Sequence, residues 1–272
     1  MNIGRKIPWA RLVAEGVVII GSILIAFTID AWWEERLERQ DERRYLTSLH
    51  QEFLQSLVSA KNAEEQRISV LAGNESLIKR FQEGAEQTTE ESLYFDLSLL
   101  SMPVGFNPPR SVLDDLVSSG GTQLIRSDEL RIALAQYSAG LQRSTANADG
   151  AWSVWEQRIQ PFLEGRVPRV DRLRLGAFGL SIGLDDKALE NRELKQYQGF
   201  RDFRRARTTF PFKPSSHKAD FEGLFADPVF EDLLAERWLR IENTVRDINA
   251  LKTMIEKIIE LTEAELGLPE PV

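Results

Sequence analysis

No cysteine occurs among the 272 residues. That excludes a disulfide framework, a thiolate metal site and a cysteine nucleophile. Histidine is limited to His50 and His217, so a histidine-rich metal centre is excluded as well. No stretch alternates apolar and polar residues in the manner of a half-buried strand. Positive charge is in deficit: 34 Lys and Arg stand against 42 Asp and Glu, a net charge of -8. A general nucleic-acid binder has the opposite balance. Motifs for phosphate or acyl chemistry are also missing. Ser118-Ser119-Gly120-Gly121-Thr122 has neither the Gly-Lys-Ser/Thr ending of a P-loop nor the Gly-x-Ser-x-Gly of an esterase elbow, and it reads as a helix stop. Asp114-Asp115 reads as a solvated face rather than a metal site.

What the chain does have is one long apolar run. From Leu12 to Trp33 only Glu15 and Asp30 are charged, and between Gly16 and Ile29 the most polar residues are Ser22 and Thr28. Trp9 and Trp32 are separated by about 35 Å at roughly 1.5 Å per helical residue. That span suits a hydrocarbon core about 30 Å thick, with Trp9, Trp32 and Trp33 anchoring the two headgroup layers. Residues 12–33 are therefore predicted to form a transmembrane helix behind a basic N-terminal segment, 1–11. Thr28-Ile29-Asp30-Ala31-Trp32 is a poor cleavage site, so an uncleaved signal anchor is expected. Arg5, Lys6 and Arg11 precede the run, and Arg36, Arg39, Arg43 and Arg44 follow it. The basic count alone does not orient the helix. The short basic N-terminus suggests a cytoplasmic start, a periplasmic bundle and a bacterial inner-membrane location.

Neither Gly nor Pro occurs between Glu34 and Ala72. Leu46, Leu49, Phe53, Leu57 and Ala60 recur at steps of three and four, and Ile68 and Leu71 resume the stripe. A helix leaving the membrane without a break is predicted, with Gly73-Asn74 as its stop. A short helix follows around Leu77, Ile78 and Phe81. Thr89 is expected to cap another, with Leu93, Leu97 and Leu100 inside. Ser111 is expected to cap a helix over 112–119, and Ser127 a long one whose Leu130, Leu134, Tyr137 and Leu141 share a face. That helix extends through Trp152, Trp155, Ile159 and Phe162, a core stripe, with Gly140 and Gly150 as candidate kinks. Residues 166–226 lose periodicity and form an irregular Arg/Phe-rich segment. Asp227 and Pro228 then start the last helix, 227–266, with a near-heptad seam through Leu234, Trp238, Ile241, Val245, Ile248, Ile255 and Ile259. The expected fold class is all-α: an N-terminal transmembrane helix continuing into an antiparallel helical bundle, 34–165 with 227–266, carrying one irregular basic insertion. Alternation places that insertion at the end far from the bilayer.

Glu15, then Ser22-Ile23-Leu24-Ile25-Ala26-Phe27, Trp32 and Glu34-Glu35-Arg36 resemble the span of an uncharacterised bacterial family of single-pass membrane proteins. Its signature reads G-E-x6-G-I-L-I-A-L-x4-W-x-E-x-R. Tyr45-Leu46, Leu49 and Glu52 match its following Y-L-x-x-L-x-x-D/E. The stretch from Leu116 to Tyr137 is similar to its central motif, and Asp227 to Phe230 to the start of its last helix. Ala14 and Ser22 stand where that family has glycine, and Asp30-Ala31 where it has two asparagines. The resemblance implies an architecture and supplies no reaction.

Two sets of residues are candidate sites. Glu15, Ser22, Ala26 and Asp30 fall within an arc of about 80° on the span, and Ser22-x3-Ala26 is a small-residue pair that lets helices approach. This is a candidate helix-packing face; pairing of Glu15 with Arg11 is the simpler reading of the carboxylate, and a proton pathway a further one. Arg201, Arg204, Arg205 and Arg207 are interleaved with Phe200, Phe203, Phe210 and Phe212, a candidate anion-binding surface. Its competing reading is phenylalanines capping the core while the arginines pair with the excess acid. The segment from Arg166 to Lys218 has thirteen Lys/Arg and six Asp/Glu. The expected role is a membrane-anchored scaffold, sensor or accessory subunit without catalysis or cofactor. Its partners would be the lipid bilayer and a second copy or another membrane protein, with no nucleic acid. The alternatives are an anion-binding module and an envelope enzyme using Asp/Glu.

Overall fold

The computed structural model describes residues 9–83, 89–175 and 213–268, with side chains from Glu15 onward except that of Glu83. All regular elements among the described residues are helical. The chain begins in α1, Trp9–Glu83, an unbroken helix of 75 residues, about 112 Å long. Then come α2 (Glu90–Leu100), α3 (Ser111–Ser118), a 3-10 turn (Gly121–Leu124) and α4 (Asp128–Val154). A wide π turn (Trp155–Ile159) and one further turn, α5 (Gln160–Leu163), extend α4. After α6 (Arg169–Leu175) and α7 (Phe221–Ala226) the chain returns in α8, Pro228–Leu266.

The caps explain several boundaries. Thr89, Ser127 and Asp227 each accept a backbone N–H through the side chain, from Ser92, Leu130 and Val229, removing donors a helix start leaves orphaned. Gly267 closes α8 in the left-handed region, φ 69°, with the Leu268 N–H returning to the Glu263 carbonyl.

Three long helices carry the core. α1 and α4 run in the same direction, and α8 packs antiparallel against both. Nearest the apolar end of α1, Leu46, Leu49, Phe53, Leu130, Tyr137, Ile255 and Ile258 form one cluster. At the far end Leu77, Leu97, Trp155, Ile159, Leu163, Phe230 and Leu234 form another. A thinner layer of Val70, Val104, Ala148, Ala151 and Ile241 joins them. Of the Trp152–Phe162 stripe, Trp155 and Ile159 are buried in the far cluster, and Trp152 and Phe162 are half-buried against it.

Several expectations need correction. Gly73-Asn74 does not stop α1. A Cβ on Gly73 would lie 2.8 Å from both Cβ and Cδ1 of Leu99, so this glycine is where α2 crosses closely rather than where the helix ends. The buried stripe does not resume on Ile68, which is 42% exposed, or on half-buried Leu71. It passes instead through Arg67, Val70, Asn74 and Leu77, which keep the three- and four-residue steps. In α8, Trp238 and Val245 are half-buried at the edge, and Arg237 and Thr244 take the inward positions. Gly140 and Gly150 do not break α4, which runs from Asp128 to Val154. A Cβ at Gly140 would meet Leu251 and Met254 at 3.3 Å, so it too marks a close crossing. The irregularity comes later, in the π turn ahead of Pro161, which has no N–H to give. The described residues of the 166–226 segment include two short helices, α6 and α7.

Tyr137 packs edge-on against Phe53, ring centroids 5.0 Å apart, and burial pushes its phenol up to about 12. Between about pH 10 and 12 the folded state therefore keeps a proton that the unfolded chain releases, and stability falls as pH rises. The Tyr137→Phe variant should unfold like the parent at pH 7 and lose less stability than the parent from pH 10 to 12. Equilibrium unfolding at the two ends of that window checks this.

Candidate functional site

The middle of the bundle is polar. Arg67, Asn74, Arg237 and Thr244 are 0% exposed, and Ser144 1%. They occupy the inward positions of α1, α4 and α8 between the two apolar clusters, where the small Ala148 and Ala151 leave room. Among the described residues, Arg237 bonds backbone carbonyls through Nη1 and Nη2, and its buried Nε has no partner. Its Nη1 donates to the Ala151 carbonyl, and its Nη2 to the carbonyls of Leu100 at 3.1 Å and Met102 at 3.3 Å. The last two lie at the C-terminal end of α2, where carbonyls lack helical partners. Ala151 sits one turn before the π turn, and the Trp155 N–H that a regular helix would give it bonds Trp152 instead. One guanidinium thus caps α2 and meets the carbonyl that the wide turn releases. Burial lowers the pKa of Arg237 to about 10, so it stays charged at neutral pH.

Arg67 lies deeper along α1. Its Nη1 donates to the Ala63 carbonyl at 3.0 Å, while Nε and Nη2 have no hydrogen-bond partner among the described residues. Burial lowers its pKa to about 10, opposed by the charge of Asp247. Asp247 itself accepts from Asn147 at 2.7 Å and pairs with Arg143 at 3.7 Å. The two guanidiniums orient and attract, and being protonated at neutral pH they themselves offer no base. Among the described residues, no three His, Asp or Glu stand together as a metal site.

Two carboxylates of α1 serve as remote caps. Glu52 is 6% exposed and accepts from the N–H groups of Val112 at 2.7 Å and Leu113 at 3.1 Å and from the Ser111 hydroxyl at 3.3 Å. Ser111 is thus the first residue of α3 and not its cap; the N-cap position is Arg110, with no side-chain bond. Glu42 accepts the Arg126 N–H at 2.7 Å, ahead of α4. The Tyr45 hydroxyl donates to Asp115 at 3.4 Å, and Leu46 and Leu49 are core. The Tyr45–Glu52 motif therefore docks α3 onto α1. Replacing Glu52 by alanine should destabilise the bundle by about 1–2 kcal/mol, with glutamine losing less, as read from urea unfolding in mild detergent.

The span residues lie on bare helix. Val17, Val18, Ile20, Leu24 and Phe27 are all at least 60% exposed among the described residues. Trp9 begins α1, and Trp32 and Trp33 stand at its other apolar limit, ring centroids 6.3 Å apart, with Arg36 5.6 Å over the Trp32 ring. Glu15, Ser22, Ala26 and Asp30 are exposed on α1. The Ser22 and Thr28 hydroxyls donate to the carbonyls of Ile19 and Leu24, each at 2.8 Å, which satisfies both within the helix. Arg201, Arg204, Arg205 and Arg207 lie outside the described residues. Three of the described basic residues of that segment are engaged by the fold, while Arg169, Lys213 and Lys218 are exposed. Arg166 pairs with Asp227 at 3.3 Å and lies 4.0 Å over the Phe162 ring. Arg172 is buried beside Trp155, and Arg174 pairs with Asp171.

Arg67, Asn74 and Arg237 were not singled out by motif reading. Their signal was positional, since each falls where the three-and-four spacing of an apolar stripe demands a buried residue. Comparison of the chain with family models, curated proteins and solved structures found no match.

Proposed function

We propose that this chain is a membrane-anchored helical bundle acting as a scaffold, sensor or accessory subunit in a bacterial envelope, with no catalysis of its own. One observation carries the reading. α1 is long and apolar enough near its N-terminus to cross a membrane, and the same unbroken helix supplies the bundle's inward residues from Leu46 to Leu77. A piston or tilt at one end of such a rod reaches the other without a hinge. The resemblance to single-pass proteins carried by the span and by Tyr45–Glu52 points the same way. The N-terminus is assigned to the cytoplasm and the bundle to the periplasm, from the short basic segment that precedes the apolar run.

Cell fractionation with an alkaline carbonate wash tests the anchor, and a C-terminal reporter active only when exported tests the orientation. The chain should stay in the washed membrane and the reporter should be active. Release into the wash removes the anchor, and an inactive reporter reverses the topology. Purification from membranes in mild detergent, with co-purifying proteins identified by mass spectrometry, tests the accessory role. Recovery of monomer alone, with no partner and no ligand, counts against it.

A further inference from the structure

The side of α1 facing away from the bundle carries a pattern that the monomer does not use. Eighteen residues make about five turns of an ideal helix, so Ser22, Gln40, Val58 and Ser76 share one line along α1. At the far end this line is covered. Gly73 lies against Leu99, and Ser76 and Arg80 bond Asp96 of α2. From Val58 back toward the span no described residue covers it. Along that bare side Leu37, Gln40, Arg44, Thr47, Gln51, Leu54 and Val58 alternate steps of three and four, the heptad spacing of a coiled-coil seam. All are exposed, and Leu37, Leu54 and Val58 are 47%, 42% and 61% exposed although apolar. Continued into the apolar run, the same register passes through Trp33, Ala26 and Ile23.

We propose that this strip is the seam of a parallel homodimer, with α1 of one chain against α1 of a second copy from the span to Val58. The parallel sense rests on the anchored reading above, because two chains held in one bilayer by the same helix meet in the same direction. Three features select a second copy as occupant. Apart from Asp30 and Arg44 the strip is uncharged, in a chain with 28% charged residues, so identical faces meet with little like-charge repulsion. Arg44 is paired within its own helix with Asp41 at 3.1 Å. Gln40 and Gln51 each carry donors and an acceptor, so each can bond its own symmetry mate across a two-fold axis, while the Thr47 hydroxyl is satisfied within its helix by donating to the Arg43 carbonyl at 2.8 Å. The flanks are also complementary. Arg36 precedes Leu37 and Asp41 follows Gln40, the positions that face one another between parallel helices, so each chain's Arg36 meets the second copy's Asp41. The core face of α1, at Leu49, Phe53 and Ala60, lies on the opposite side, so the two bundles sit back to back without competing for α1. The Ser22–Ala26 pair joins the seam at its membrane end, where small residues allow close approach.

The absence of cysteine makes the test direct. Single substitutions Leu37→Cys, Gln40→Cys, Gln51→Cys and Leu54→Cys are made in the full chain, with Glu38→Cys and Arg39→Cys as controls on the same exposed helix. Each is oxidised in native membranes. Disulfides need Cα atoms within about 7 Å, so the four seam positions should form covalent dimer at least fivefold faster than the controls. Adding Val58→Arg should slow cross-linking at Leu54→Cys severalfold while helicity is unchanged, because Val58 is exposed in the monomer. Equal rates at seam and control positions, no covalent dimer at any position, or indifference to Val58→Arg would overturn the proposal. Failure of the anchor reads out separately. A chain released by carbonate that still cross-links at the seam loses the membrane and keeps the dimer, whereas a membrane-retained chain that does not cross-link loses the dimer alone.

Discussion

Replacing Arg237 with leucine is expected to lower the stability of the folded chain by about 2–4 kcal/mol. Two effects oppose each other here. Removing a guanidinium that is 0% exposed relieves a desolvation penalty of several kcal/mol. Against that, the carbonyls of Ala151, Leu100 and Met102 lose their donor. Hydrogen bonds to a charged group contribute about 1.5–3 kcal/mol each, and the shorter leucine leaves unfilled volume. Three charge-assisted bonds outweigh one desolvation, so the loss wins. Lysine at this position should also destabilise, because a single ammonium does not reproduce the planar fork that reaches α2 and α4 together. For a chain of this size the change corresponds to a fall in Tm of roughly 5–15 °C, readable by circular dichroism in mild detergent. A leucine variant as stable as the parent would mean that the carbonyls find water and that the arginine does not hold the middle of the bundle together.

The Gly73→Val variant should be nearly as damaging, at about 2–4 kcal/mol. A Cβ there would stand 2.8 Å from two carbons of Leu99, a residue that is itself 0% exposed. Overpacking of this kind costs about 1–3 kcal/mol, and the branched side chain adds two methyl groups at the tightest point between α1 and α2. Gly73→Ala gives a graded test. Alanine carries the same Cβ, 2.8 Å from Leu99, and recovers at most about 1 kcal/mol in helix propensity, so it should destabilise measurably but less than valine. Leu99→Ala should offset the damage when combined with Gly73→Val, giving a favourable coupling in a double-mutant cycle. Additive losses would place the strain elsewhere.

Both predictions concern residues whose importance was not legible before folding. Gly73 reads as a helix stop in any linear scan, because glycine followed by asparagine commonly ends a helix. Only the approach of α2 explains why a glycine stands in the middle of a 75-residue helix. Arg237 adjoins Trp238, and hydrophobicity alone assigns the inward position to the tryptophan. In the structure Trp238 lies at the edge and donates to Glu75 at 2.9 Å, while the arginine turns inward to carbonyls more than eighty residues away in the chain. Ser111 reads as a cap because serine suits the position. The capping oxygens come instead from Glu52, which local sequence does not reveal.

Properties that follow from local chemistry and period were determined by the sequence itself. The helical class follows from three-and-four spacing without alternation. The single long apolar run from Leu12 to Trp33 and the starts at Thr89, Ser127 and Asp227 follow from side chains acting on their own neighbours. The return of α8 toward the span follows from the count of long helices. Tertiary structure decided where polar groups are buried, which glycines are crossings, and which side of α1 stays bare. Those outcomes depend on groups distant in sequence. A carbonyl freed in α4, a helix end in α2 and a carboxylate on α1 acquire their partners only when the helices stack, and the side of α1 beyond their reach is left open.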